Sequence, residues 1–144
     1  MFLKEVNEKK TIDNVKAFFD EDFDRLQRLS MADTLVRTND PSKIINQDSH
    51  NSDSLNLKHY TYKTLYEVII SAIDKCSDKN KSLLWQKYIE GKKNMAIAMS
   101  LHISLATYYK RAVKRAYLEF TDCLFEVTSE MNVSNPIDFH VYKK

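Results

Sequence analysis

The sequence predicts an all-α protein, and three observations carry that prediction. Its 144 residues hold one glycine and two prolines, which leaves little material for tight hairpins. Long runs of Lys, Glu, Leu, Ala and Met favour helix. Apolar residues return at helical spacing in one stretch after another. The length suits one domain with a core of its own. Within it the chain divides into an N-terminal helical arm (1–36), a polar linker (37–56), a helix-turn-helix unit (57–130) and a tail (131–144).

The first predicted helix runs from Thr11 to about Leu35. Ile12, Val15, Phe19, Leu26 and Leu29 form its stripe, widened by Phe18 and Phe23. The acidic run Asp20-Glu21-Asp22, with Asp24, lacks the alternating ligands and the glycine of a calcium loop, so it reads as a solvated helix face. Residues 37–55 are polar, with only Ile44 and Ile45 as anchors, and form the linker. From Leu57 to Cys76 the pattern is strongly amphipathic through Tyr62, Leu65, Tyr66, Ile69, Ala72 and Ile73. Ser77 and Asp78 then supply a stop and a new N-cap for a helix over Lys79–Glu90. Leu84, Trp85, Tyr88 and Ile89 are its inner side, and the sole tryptophan is expected to anchor the core.

Gly91 closes that helix as a left-handed stop. The next stretch, KKNMAIAMSLHISLATYYKRAVKRAY (92–117), folds as a short helix from Asn94 to about Leu101, a tight turn, and a longer helix capped by Ser104. Ala98 lets the two helices approach closely, Ile103 plugs the corner, and Tyr108, Ala112 and Ala116 form the inward face of the second helix. His102 stands where such turns usually carry glycine, and histidine tolerates the left-handed region at some cost. The second helix continues to about Ser129. Phe120, Cys123 and Val127 extend its inward face, while Leu118 and Phe125 lie outward. A helix apolar nearly all round needs cover on both sides, from the first helix or from a second subunit. A homodimer is the favoured reading, because paired half-sites are the common solution for one such motif. The tail offers no readable function.

Net charge is +2, but it is segregated: residues 78–117 carry nine Lys/Arg against two Asp/Glu. That concentration is the footprint of a polyanion. Thr107, Tyr109 and Lys110 are candidates for base edges, with Leu105 and Ala106 available for thymine methyl groups and Ser104 opening the helix. Lys92, Lys93, Arg111, Lys114 and Arg115 are candidates for phosphates.

Other chemistries find no support in the residues. One glycine rules out a glycine-rich phosphate loop. The four histidines are scattered, and Cys76 and Cys123 read as buried small hydrophobes, so no metal or cofactor is assigned. Ser104 beside His102 is accounted for by the cap and the turn, so an enzyme is not expected. The start of the sequence lacks a signal-peptide core and no apolar run reaches membrane length, which points to the cytoplasm.

The segments AIDKCSDKNK (72–81), KYIEG (87–91) and SLATYYKRAVKRAYLEF (104–120) carry a family resemblance over about residues 65–125. They resemble DNA-binding region four of bacterial sigma factors, and within that group the ArpU-type late transcriptional regulators of phages and prophages of Gram-positive bacteria. The sequence departs from that pattern at His102, Leu105 and Ala106, positions that bear on the target sequence more than on the fold. The resemblance implies a sigma region-four-like helix-turn-helix that binds double-stranded DNA, activates late genes and contacts RNA polymerase. Two alternatives stay open. One is a helical interaction protein that binds polymerase or another protein, and the other is a small terminase-like DNA-packaging subunit.

Overall fold

The computed structural model describes residues 4–37, 61–131 and 136–143. The linker expected at 37–56 lies almost wholly outside them. Among the described residues the fold is all-α, as predicted, with no strand beyond an isolated antiparallel bridge between Val6 and Tyr142.

The first helix, α1, occupies residues 8–37 as Glu8–Ala17, a π-helical segment Phe18–Asp22, and Phe23–Arg37. It starts earlier than its apolar stripe does, because the Asn7 side chain accepts the Lys10 N–H at 3.1 Å and caps it. The expected stripe is the buried one: Val15, Phe18, Phe19, Phe23 and Leu26 all lie in the core. The next helix, α2 (Tyr62–Lys75), is capped by Thr61, which accepts from Thr64 N–H at 3.1 Å. Leu65, Val68, Ile69, Ala72 and Ile73 bury its apolar face.

Helix α3 covers residues 78–89, as Asp78–Leu84 followed by the π segment Trp85–Ile89. Two expectations fail here. Ser77 occupies the cap position but makes no side-chain cap bond. Instead Glu119, 42 residues away, takes the Ser77 N–H at 2.6 Å, the Ser77 hydroxyl at 2.9 Å and Asn80 Nδ2 at 3.0 Å through one carboxylate oxygen. Trp85 is 37% exposed and does not anchor the core. Leu83 and Leu84 already fill that side, and the next residue stands about 100° further round.

Burial pushes the Glu119 carboxyl up, but the hydrogen bonds from Asn80 and Ser77 outweigh it and hold it below the ordinary value. Its contribution is therefore present above the free glutamate value of about 4.3 and is lost as pH falls through the lower value in the fold. Glu119→Ala is expected to destabilise the fold by about 1–2 kcal/mol at neutral pH. The same variant should unfold in acid with a shallower pH dependence than the parent, as followed by circular dichroism.

Helix α4 (Asn94–Ser100) is short, and α5 fills residues 105–130 as Leu105–Thr107, a π segment Tyr108–Ala112, and Val113–Glu130. Its inward face is Tyr108, Ala116, Tyr117, Phe120, Thr121, Cys123, Leu124 and Thr128. Ala112, placed on that face by a straight helical wheel, is only half-buried. The π segment inserts a residue into the turn and rotates the phase by about one position. Cys76 and Cys123 are both buried, as expected, with their sulfurs 4.0 Å apart, and burial pushes both thiols up.

Cover for α5 comes from α1 of the same chain. Phe19 stacks on Tyr88 with ring centres 4.2 Å apart and meets Phe120 at 4.9 Å. The tail packs as well: Ile137 and Phe139 are buried. Asn7 N–H donates to the Val141 carbonyl at 2.6 Å and Lys143 N–H to that of Glu5 at 2.9 Å. Two buried threonines hold it, Thr11 accepting from Val141 N–H at 2.9 Å and Thr128 from Ile137 N–H at 3.0 Å. His140 bridges the carboxylates of Asp122, at 2.6 Å, and Asp138, at 2.5 Å. No helix among the described residues is long and apolar enough to cross a membrane.

Candidate nucleic-acid interface

The candidate site is the corner from Gly91 to Arg115, and it starts with backbone geometry. Gly91 has φ 67° and ends α3 as predicted, after which Lys92 N–H donates back to the Gln86 carbonyl at 2.8 Å. α4 then presents Ile97 and Ala98 to the core. At the turn, His102 N–H reaches the Met99 carbonyl and Ile103 N–H that of Ala98, both at 3.1 Å. His102 takes φ 59°, the left-handed conformation expected of it. A β-carbon there costs about 1–2 kcal/mol, and glycine's greater chain entropy returns about half of that. Since His102 is exposed, His102→Gly is expected to stabilise the protein by up to ~1 kcal/mol. The check is a higher urea midpoint at unchanged slope.

Ser104 caps α5: its Oγ accepts Thr107 N–H at 3.1 Å and donates to Thr107 Oγ1 at 3.0 Å. Asn94, a residue that periodicity gave no reason to notice, locks the corner. Its Oδ1 accepts from Tyr108 Oη at 2.7 Å and from Lys87 Nζ at 2.8 Å, while its Nδ2 donates to Tyr109 Oη at 3.0 Å. Burial lowers the Lys87 ammonium, with Asp20 opposing and Lys16 adding to the shift. Burial also pushes the Tyr108 phenol up to about 12. One side chain thus ties α3, α4 and α5 together. Gln86 is a second tie, donating to Ser82 Oγ at 2.9 Å and accepting from Ser100 Oγ at 3.1 Å. The start of α5 is thereby fixed to α4, and α4 in turn to α3.

No protein-family model, curated protein or solved structure matches this chain. The residues themselves therefore carry the argument. Ala106, Thr107, Tyr109, Lys110, Arg111, Lys114 and Arg115 are all exposed along α5. Lys110, Arg111, Lys114 and Arg115 make no side-chain hydrogen bond or ion pair among the described residues. Lys93 is likewise exposed and unpaired there, whereas Lys92 lies 3.5 Å from Glu90 and is partly compensated. Tyr109 is 51% exposed, with its hydroxyl engaged by Asn94. Leu105 is half-buried against the core, so less of it is free for a methyl contact than the sequence suggests. Ser104 is exposed but spends its hydroxyl on the cap.

Of the two covers that the sequence left open for α5, the first helix supplies one. The first turns of α1 lie beside the basic flank of α5, leaving a groove of about 520 Å³ between them. Leu118, expected on an outward face, is half-buried there opposite Ile12. The apolar flank that favoured a second subunit is therefore covered in part from within the chain.

Proposed function

We propose that this protein is a sequence-specific DNA-binding transcriptional regulator of the ArpU type, acting on late genes of a phage or prophage. The observation that supports this reading best is the run of exposed, unpaired cations on α5, directly following the rigid, capped turn at Ser104. A cation with no protein partner keeps its full capacity to displace counterions from phosphate. The first turn of α5, with Ala106, Thr107 and Lys110 outward, would enter the major groove. Arg111, Lys114 and Arg115, with Lys93 at the start of α4, would lie against the backbone. Gene activation through RNA polymerase, and a homodimer on paired half-sites, belong to the same proposal.

The test is a fluorescence-anisotropy titration of fragments of the host element's DNA against random duplex over a range of salt. Preference for one fragment by roughly 4–10 kcal/mol supports a specific regulator. Equal and steeply salt-dependent binding to both would reduce the site to a basic surface without readout.

One observation favours a second reading, a helical interaction protein. Met95 and Met99, one turn apart on α4, are 57% and 69% exposed. Adjacent exposed methionines suit an adaptable protein contact. Absence of duplex binding at modest salt, together with capture of purified RNA polymerase, would favour that reading.

A further inference from the structure

Resting on the DNA-binding reading, we propose that the groove between α1 and α5 is a second seat for the phosphate backbone, so that the first turns of α1 form part of the DNA-binding surface. One wall of the groove is Lys110, Arg111, Lys114 and Arg115. The floor is apolar, from Leu118 and Ile12, and the α1 wall carries Lys9 between the carboxylates of Glu8 and Asp13. Five cations thus face two carboxylates. A groove built only to hold α1 in place would pair them. Here neither Glu8 nor Asp13 forms an ion pair with any of these cations, and all of the charged side chains are exposed. The positive charge is left available to an anion from outside.

The occupant follows from continuity. Lys110 belongs both to the groove and to the face that would read bases, and Arg111 follows it on the backbone side. A helix lying in a major groove about 12 Å wide is flanked by sugar-phosphate strands. The flank of α5 that leaves the groove, at Lys114 and Arg115, is where such a strand would pass, and the first turn of α1 stands beside it. That turn is held rather than frayed, since Asn7 and Thr11 are both bonded to Val141 of the tail. Lys9 would then add a phosphate contact. Glu8 and Asp13 would face the same phosphates and weaken the hold, which lowers affinity for every sequence alike and leaves base readout with the larger share.

Anisotropy with a short random-sequence duplex, from about 50 to 200 mM salt, tests this on the full chain. The variants are Lys9→Ala, the pair Glu8→Gln/Asp13→Asn, and Lys110→Ala as a reference within the reading face. The proposal expects Lys9→Ala to weaken binding several-fold and reduce the salt slope by about one, and Glu8→Gln/Asp13→Asn to tighten it several-fold. If the parent binds and Lys110→Ala weakens it, but the α1 variants leave affinity and slope unchanged, α1 lies outside the interface and this proposal falls while the DNA reading stands. If the parent binds no duplex, both fall. Binding of poly-glutamate that Lys9→Ala abolishes, without any change in duplex affinity, would assign the groove to an acidic protein segment and overturn the proposal.

Discussion

Truncation of Phe19 to alanine is expected to cost about 3–5 kcal/mol, the range for deleting a buried phenyl group. Phe19 is buried at the point where three helices meet. It stacks on Tyr88 of α3, touches Phe120 and Tyr117 of α5, and packs edge-on against Phe18 and Phe23 of its own helix. Beneath it, the Tyr88 and Tyr117 hydroxyls share a hydrogen bond, so a cavity there would also admit water to a polar pair. A domain of this size has about 5–15 kcal/mol in total, so the variant is left marginal. Urea denaturation followed by far-UV circular dichroism measures the loss. A loss below about 1 kcal/mol would mean that α1 does not brace the helix that carries the basic face.

The second large effect is on binding. Lys110→Ala and Lys114→Ala should each weaken duplex binding by about tenfold at 0.1 M salt, because each phosphate contact releases about 0.9 of a counterion. The double variant should then lose about a hundredfold if the two contacts act independently. The loss should shrink as salt rises, and the salt slope should fall by about one per residue. Both side chains are exposed and unpaired among the described residues, so the fold should be untouched and the urea midpoint unchanged. Because Lys110 also stands on the reading face, its loss should be larger on the preferred fragment than on random duplex. Unchanged affinity in the double variant would remove α5 from the interface.

The parts of this fold that the sequence revealed are those governed by local rules. Helix identity followed from periodicity, and the stop at Gly91, the strained turn at His102 and the cap at Ser104 followed from backbone chemistry within a few residues. What stayed hidden depends on residues far apart in the chain. The cap on α3 comes from Glu119, and nothing around Ser77 shows that a carboxylate will arrive from another helix. The tail has no period, and its anchor points are two threonines in otherwise apolar faces, at Thr11 and Thr128. The π segment in α5 shifts the phase of a straight wheel, which is why Ala112 sits further out than predicted. Of the candidate site, the exposed cations were legible from charge alone. Asn94 as a three-helix tie, and the α1 side of the groove, needed the fold.

The pairing of the N-terminal segment with the tail also sets an order of events during synthesis. Thr11 finds its partner at Val141, 130 residues later. At about 5–20 residues per second, that partner is made roughly 6–26 s after Thr11. For most of that interval the stripe of Phe18, Phe19 and Phe23 has neither α5 nor Phe139 to cover it. The acidic run Asp20-Glu21-Asp22, exposed and without an ion pair among the described residues, interrupts that stripe between Phe19 and Phe23. Charges at that point oppose association of the waiting helix with other nascent chains.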